Sequence, residues 1–223
     1  MFGRTPKFAV LFDMDGTLID SEPYWMESET ALAKEHNGVW SHQDGLDVVG
    51  MSLDQSSKLL RDRANIDMDP TEIVDRLTSE VQGKLAKVIP WRPGARELLA
   101  DLRKHGVKTA LVTMSMHRMA QQVVDAIPFD AFDVIVAGDD VTRGKPHPEA
   151  YEKAAMLLGF EPRHCIAFED SQSGLTSAES AGTIAIGIPH IVPIPEKENR
   201  ILWETLVGVN YKQLRKLAHG SNS

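Results

Sequence analysis

The chain has 223 residues, 42% of them hydrophobic and 25% charged, enough apolar material for a substantial core and too much for wholesale disorder. Lys and Arg total 24 against 32 Asp and Glu, a net charge of −8, which argues against a nucleic-acid wrapper or a protein that lies on an anionic membrane. An anionic ligand would have to be met by a metal ion or by individually placed lysines.

The segment Phe8-Ala9-Val10-Leu11-Phe12 reads as a strand buried on both faces, and it ends where Asp13-Met14-Asp15-Gly16-Thr17 brings in polarity. Two carboxylates one residue apart invite a cation or a shared proton. The competing reading of Asp15-Gly16 is a plain hairpin turn. From Glu22 to about Val88 only helical patterning is visible. Pro23 suits a first helical turn, and Asn37-Gly38 closes that helix. Ser52-Leu53-Asp54-Gln55 has the form of a capping box. Asp69-Pro70 opens a third helix, along which Ile73, Leu77, Val81, Leu85 and Val88 recur at helical spacing. The unit is bracketed by turns at Gly16 and at 90–94.

From Pro93 onward helices and strands alternate. A helix carries Leu98, Leu99 and Leu102, and a strand at 107–112 ends at Thr113-Met114-Ser115. A helix through Met119 and Val123 leads to a strand at 133–137 that ends at Gly138-Asp139-Asp140. After Lys145-Pro146 comes a helix through Tyr151 that stops at Gly159. A strand at 165–168 ends at Glu169-Asp170-Ser171, followed by a helix to Ala181 and a fifth strand at 183–188. Beyond Pro189 only 206–217 hints at structure. Strands alternating with helices predict a parallel sheet with right-handed crossovers. Cys165, the single cysteine, excludes an internal disulfide and a thiolate metal cluster and reads as a buried, inert thiol. No apolar stretch is long enough to span a bilayer, and the first apolar run is too short for a signal peptide, so a soluble cytoplasmic protein is expected.

In a parallel sheet the carboxyl ends of the strands face one way, so Asp13, Asp15, Thr113, Lys145, Glu169 and Asp170 should converge. Carboxylates with water and phosphate oxygens suit Mg²⁺, while a hydroxyl and a lysine suit a phosphate. An aspartate can attack phosphorus, and a second carboxylate can protonate the leaving alcohol and then activate water. Taken singly the residues have duller readings: Lys145 as a loop lysine, Thr113 and Ser115 as helix caps, and Glu169 with Asp170 as caps of the following helix. His147 and Arg143 read as loop residues.

The four segments together resemble the motifs of the haloacid dehalogenase-like hydrolase superfamily: Asp13-Met14-Asp15-Gly16-Thr17, Leu111-Val112-Thr113-Met114-Ser115, Gly144-Lys145-Pro146, and Phe168-Glu169-Asp170-Ser171 with Gly174. The resemblance implies an α/β fold, a Rossmann-like parallel sheet with helices on both faces, in which residues 1–20 and 90–223 form the core and 21–89 an inserted all-helical cap. It implies Asp13 as nucleophile and Asp15 as general acid/base, with Thr113, Met114 and Lys145 at the phosphate. Mg²⁺ would be held by Asp13, the backbone carbonyl of Asp15 and Asp170, with Glu169 close by or ligating. The position of the insert is similar to the β-phosphoglucomutase-like subgroup. The mutase places a histidine where this chain has Trp25 and an arginine where it has Leu53. Asp20-Ser21-Glu22-Pro23-Tyr24-Trp25 is similar instead to the sugar- and hexitol-phosphate phosphatases. The expectation is a Mg²⁺-dependent phosphatase of small phosphomonoesters working as a monomer, with Tyr24 and Trp25 covering the organic part of the substrate. A β-phosphoglucomutase-type mutase and a non-catalytic phosphosugar-binding protein are the alternatives.

Overall fold

The computed structural model describes residues 7–220. Strand β1 (Ala9–Phe12) is followed by four helices, α1 (Glu22–Glu35), α2 (His42–Val48), α3 (Leu53–Ala64) and α4 (Pro70–Leu85). Then come α5 (Ala95–Lys104), β2 (Lys108–Val112), α6 (His117–Asp125), β3 (Val134–Val136), α7 (Glu149–Leu158), β4 (Cys165–Glu169), α8 (Gln172–Ser180), β5 (Ile184–Gly187), β6 (Ile201–Leu202) and α9 (Tyr211–Gly220). All six strands are parallel, in the order β3-β2-β1-β4-β5-β6.

The central strand is buried throughout because both of its faces meet helices. Successive side chains of a strand point to opposite faces. Val10 and Phe12 accordingly pack with Leu98, Leu102, Met119 and Leu214, and Ala9 and Leu11 pack with Tyr151, Ala154 and Leu175. Helices α5, α6 and α9 thus cover one face and α7 and α8 the other. The same division explains why β1 shows no alternation in sequence: it has no wet side.

Among the four helices after β1, α4 is held at its start by a reciprocal capping box between Asp69 and Glu72, and it buries Ile73, Leu77, Val81 and Leu85. At α3 only half of the expected box forms: Ser52 accepts from the Gln55 backbone N–H. Helix α2 has no counterpart in the sequence reading. Its signal was present, since Ser41 and Asp44 form a capping box, but seven residues are too few to display a period. Helix α5 begins at Ala95, after Gly94 at φ 85°, two residues later than read from Pro93. Strand β6 escaped notice for the same reason as α2, having only two residues. Among the described residues no helix is long and apolar enough to cross a membrane.

The Asp15-Gly16 turn is not a hairpin. The Leu18 and Ile19 amides donate to the Met14 carbonyl, and the chain runs outward beside the returning segment. Asp20 N–H donates to Pro90 O at 2.8 Å and Arg92 N–H to Leu18 O at 2.8 Å, stitching the two connections together.

Candidate active site

The strand order reverses between β1 and β4, and the crevice outside the carboxyl ends at such a switch point is where open α/β sheets bind ligands. Phe12 lies level with Leu111 on one side and Phe168 on the other, so Asp13 stands level with Val112 and Glu169, the last residues of β2 and β4, and Thr113 follows one residue beyond. The Asp13 N–H donates to Phe168 O at 3.0 Å, which fixes the carboxylate directly over the crevice.

Asp13, Lys145 and Glu169 form a buried ionic network. Lys145 Nζ donates to Asp13 Oδ1 at 2.7 Å and to Val112 O at 2.9 Å, and stands 2.6 Å from Glu169 Oε1. Its three protons are therefore all committed. Tyr151 OH donates to the same Glu169 oxygen at 2.6 Å. Burial works against the lysine charge, but Asp13 and Glu169 outweigh it and hold the ammonium above its ordinary value. One oxygen each of Asp13, Glu169 and Asp170 lie within 4.8 Å of one another. Burial, then the charge of Glu169, pushes Asp13 up to about 8 despite Lys145. Burial followed by Asp13 and Glu169 raises Asp170 well above the carboxylate range. The cause is plain: one ammonium cannot neutralise three desolvated carboxylates, and two negative charges are left over.

A hard divalent cation fits this set. The donors are all carboxylate oxygens gathered within 4.8 Å of one another, and the excess charge matches. The cradle is tight as well. Gly16, at φ 82°, has no room for a side chain, because a Cβ there would stand 1.9 Å from Asp170 Oδ2. At Gly174 a Cβ would stand 2.0 Å from Glu169 Oε2.

Asp15 faces away from that cluster. Its Oδ1 accepts from Ser21 Oγ at 2.5 Å and Trp25 Nε1 at 3.3 Å, and its Oδ2 from Thr113 Oγ1 at 3.1 Å and Ser115 Oγ at 2.7 Å. Its side chain is therefore not one of the clustered carboxylates. The Thr113 hydroxyl, expected at a phosphate, is occupied by Asp15 and by the Ser115 N–H at 3.0 Å. Ser115 is not a helix cap; Met116 holds that position before α6, and the serine serves Asp15. Glu169 and Asp170 are not caps either, since Ser171 caps α8 by accepting from the Gly174 N–H.

The cavity over these groups is lined by Asp13, Asp15, Met114, Ser115, Lys145 and Asp170 below and by α1 and the segment after α2 above. Trp25 lines it, yet is only 7% exposed, so it is both a core residue and a wall. Tyr24 does not line it; its hydroxyl donates to Val88 O at 3.3 Å, one step round the helix from the cavity. Ser21, Ser115, Glu22, Glu29 and Tyr151 were missed as site residues. The helical spacing of Glu22 and Glu29 with Trp25 was the available signal for the acids, and Ser115, two residues after Thr113 at a strand end, had a comparable one.

A family model for haloacid dehalogenase-like hydrolases matches residues 9–182. Hexitol phosphatase B of Escherichia coli (strain K12) is 31% identical over 200 residues, covering 87% of this chain and 88% of that protein. The phosphorylated carbohydrates phosphatase of Thermotoga maritima is 31% identical over 184 residues, 82% of this chain and 85% of the relative. A β-phosphoglucomutase structure from Clostridium difficile has a TM-score of 0.81 at 20% identity, covering 95% of this chain and 97% of that one, a likeness of fold alone. With the match running from β1 to the end of α8 and taking in the switch-point carboxylates and the buried lysine, the chain belongs to the haloacid dehalogenase-like hydrolase family, as an enzyme of the phosphatase kind.

Proposed function

We propose that the enzyme hydrolyses small sugar or polyol monophosphates through an aspartyl-phosphate intermediate on Asp13. The observation that carries this reading is the asymmetry of Asp13, which lines the switch-point crevice: Lys145 fixes Oδ1, while Oδ2 is buried and has no hydrogen-bond partner among the described residues. A nucleophile held by one oxygen and bare at the other is aligned for attack on a bound phosphorus. Oδ2 forms a bond to phosphorus as the ester P–O bond breaks, and the departing alcohol oxygen takes a proton from Asp15. Water then attacks phosphorus, Asp15 takes its proton, the bond to Asp13 breaks, and inorganic phosphate leaves. For this exchange Asp15 gives up part of its hydrogen bonding to Ser21, Trp25, Thr113 and Ser115, which orients its carboxyl beforehand.

Asp13, Asp170 and Glu169, with the backbone carbonyl of Asp15, are the groups we assign to Mg²⁺; the ion, when bound, screens the carboxylates from the incoming phosphate and stabilises charge on the transferring oxygens. Lys145 contributes a fixed positive charge beneath the phosphate. Thr113 keeps Asp15 in place, and Met114 forms part of the phosphate wall. Residues 21–89 act as a cap that encloses the organic part of the substrate, with Trp25 as its floor. The relatives named for hexitol and carbohydrate phosphates support a polyhydroxylated substrate. The reading takes the chain as a cytoplasmic monomer acting on a diffusible metabolite, and a net charge of −8 suits neither nucleic acid nor an anionic membrane.

The test is phosphate release by the purified protein from a panel of sugar, polyol and nucleotide monophosphates, with Mg²⁺ and with chelator. Activity should vanish on chelation and in Asp13→Asn, whose circular dichroism should match that of the wild type. A near-normal rate in Asp13→Asn would remove Asp13 from the chemistry.

A further inference from the structure

The cavity-facing side of α1 presents Glu22, Trp25, Met26 and Glu29, spaced at i, i+3, i+4 and i+7. Two of the four are acids, and both are buried: Glu22 is 9% and Glu29 6% exposed. Neither belongs to the cluster beneath the phosphate. Glu29 Oε2 accepts from the indole N–H of Trp40 at 3.0 Å, and Trp40 is itself buried. No other hydrogen bond or ion pair reaches Glu29 among the described residues, and none reaches the Glu22 carboxyl.

A buried carboxyl without a cation beside it is costly, and a neutral glutamine oxygen would serve the Trp40 N–H equally well. The first turn of α1 favours an acid at position 22, but satisfying Trp40 does not account for one at position 29. The cavity does. Trp25 marks the phosphate end, with its N–H 3.3 Å from Asp15 Oδ1. Glu29 stands one turn further along α1, roughly 6 Å at the helical rise per residue, within reach of the far end of a hexose-sized chain.

We propose that Glu29, oriented by Trp40 and working with Glu22, binds the hydroxyl groups of the substrate's carbon chain and restricts the enzyme to neutral, polyhydroxylated phosphomonoesters. This rests on the phosphatase reading above and adds the residues that choose the substrate. Burial pushes Glu22 up to about 8, with Asp15 adding to it, and Glu29 to about 7, with the Trp40 bond pulling the other way. Near neutrality each carboxyl therefore spends part of its time protonated and donates as well as accepts. Hydroxyl groups have the same double character. A second anionic group on the substrate meets Glu29 and no lining cation at this end of the cavity, with Glu22 adding repulsion nearer the phosphate, so bisphosphates and carboxylated esters are disfavoured.

The test compares kcat/KM for sorbitol 6-phosphate, glucose 6-phosphate, glucosamine 6-phosphate, phosphoglycolate and p-nitrophenyl phosphate, the last carrying the ester and no hydroxyl. Glu29→Leu should lose about 10- to 100-fold on sorbitol 6-phosphate relative to p-nitrophenyl phosphate on the same preparation, the weight of a hydrogen bond to an ionisable partner. Glu29→Gln, which keeps an acceptor for Trp40 and adds a donor, should recover most of that ratio while relaxing the bias against phosphoglycolate, and it keeps the test valid if the leucine variant folds poorly. Equal losses on both substrates, or a glutamine variant that tracks the leucine one, would make Glu29 purely structural. Preference for glucosamine 6-phosphate over glucose 6-phosphate would make the acids an ammonium site and overturn the proposal. A wild type that cleaves p-nitrophenyl phosphate yet handles sorbitol 6-phosphate no better refutes the hydroxyl-reading subsite alone, whereas no phosphate release from any ester refutes the phosphatase reading itself.

Discussion

The surplus of buried acid in this chain gives its stability an unusual dependence on pH. In chelator, burial holds Asp13 and Glu22 at about 8 and Glu29 at about 7, and keeps Asp170 well above the carboxylate range. In the unfolded chain the same side chains titrate near their ordinary values of about 4. Between about pH 5 and 7 the folded state therefore binds more protons than the unfolded state, so stability falls as pH rises. The slope is about 1.4 kcal/mol per pH unit for each group still protonated in the fold, or about 3 kcal/mol per group across two units. The depressed carboxylates of Asp44, Asp69, Glu149 and Glu179 act in the opposite direction, but only in acid, where the unfolded chain takes up their protons. On the proposed assignment Mg²⁺ needs ionised carboxylates at Asp13, Glu169 and Asp170, so its stabilising effect, about 2.7 kcal/mol at a hundredfold excess over its dissociation constant, should grow with pH as that constant falls. Urea melts at about pH 5.5 and 7.5, in chelator and in Mg²⁺, separate the two contributions. Glu29→Gln should remove its share of the slope without changing the response to the metal. Stability that is flat or rising with pH in chelator, or a metal response that is no larger at the higher pH, would refute this account of the buried charges.

Two further substitutions probe the machinery around Asp13. Asp15→Asn should lower turnover by about 10² to 10⁴-fold, the usual span for a general acid/base. Its fold should survive, because the new amide can turn its NH₂ toward the hydroxyls of Thr113 and Ser115 while its oxygen keeps Ser21 and Trp25; a loss under threefold would assign the proton to another group. Gly16→Ala places a Cβ 1.9 Å from Asp170 Oδ2 at a φ of 82°, costing about 1–2 kcal/mol in backbone conformation alone. Asp170 must move, so stabilisation by Mg²⁺ in a thermal melt should largely disappear along with activity; a wild-type metal response would show that the cradle is not tight.

The architecture was legible because each long element carried its own signal. Strand β1 announced itself as five apolar residues ending at two acids, and α4 as a capped helix with apolar residues every three or four positions. What escaped was short or tertiary. Helix α2 and strand β6 are too brief to show periodicity, and β6 exists because Ile201 and Leu202 pair with Ile186 and Gly187 across the sheet. In the site, the convergence of Asp13, Thr113, Lys145, Glu169 and Asp170 followed from parallel strands ending together. The orientation of each side chain did not, because it depends on which donors the folded chain brings near. Thr113, expected at the phosphate, donates its hydroxyl to Asp15, a partner that residue type and strand-end position do not disclose. Tyr24 and Trp25 are neighbours in sequence, and helical geometry sends one to the cavity and the other to Val88. Glu22 and Glu29 were passed over because an exposed helix acid is the ordinary case; only the fold shows that these two are buried.

In the proposed reaction, Trp25 bears on whether the phosphoryl group taken up by Asp13 goes to water or back to a sugar. A mutase must return phosphate to a second hydroxyl, which requires a group that can accept that hydroxyl's proton and pass it on. The indole N–H of Trp25 donates to Asp15 Oδ1 and has no acceptor lone pair, so it can position Asp15 but cannot relay a proton. Asp15 is then left to take the proton of either acceptor, water or a sugar hydroxyl, and the proposed hydrolysis predicts inorganic phosphate and no glucose 6-phosphate from glucose 1-phosphate. Trp25→Phe keeps a flat apolar wall and removes only the N–H, leaving Ser21 on the same oxygen. The expected result is a fall in kcat within tenfold and little change in KM. Trp25→Ala removes the wall as well; truncating a buried aromatic costs about 3–5 kcal/mol of stability, so its kinetics should be measured well below its melting temperature. There KM for the best sugar phosphate should rise while Trp25→Phe leaves it in place. If both variants lower kcat alone, the tryptophan acts only on Asp15 and does not wall the substrate. Conversion of glucose 1-phosphate to glucose 6-phosphate by the wild type, with little phosphate released, would mean that another group carries the relay and that the enzyme is a mutase.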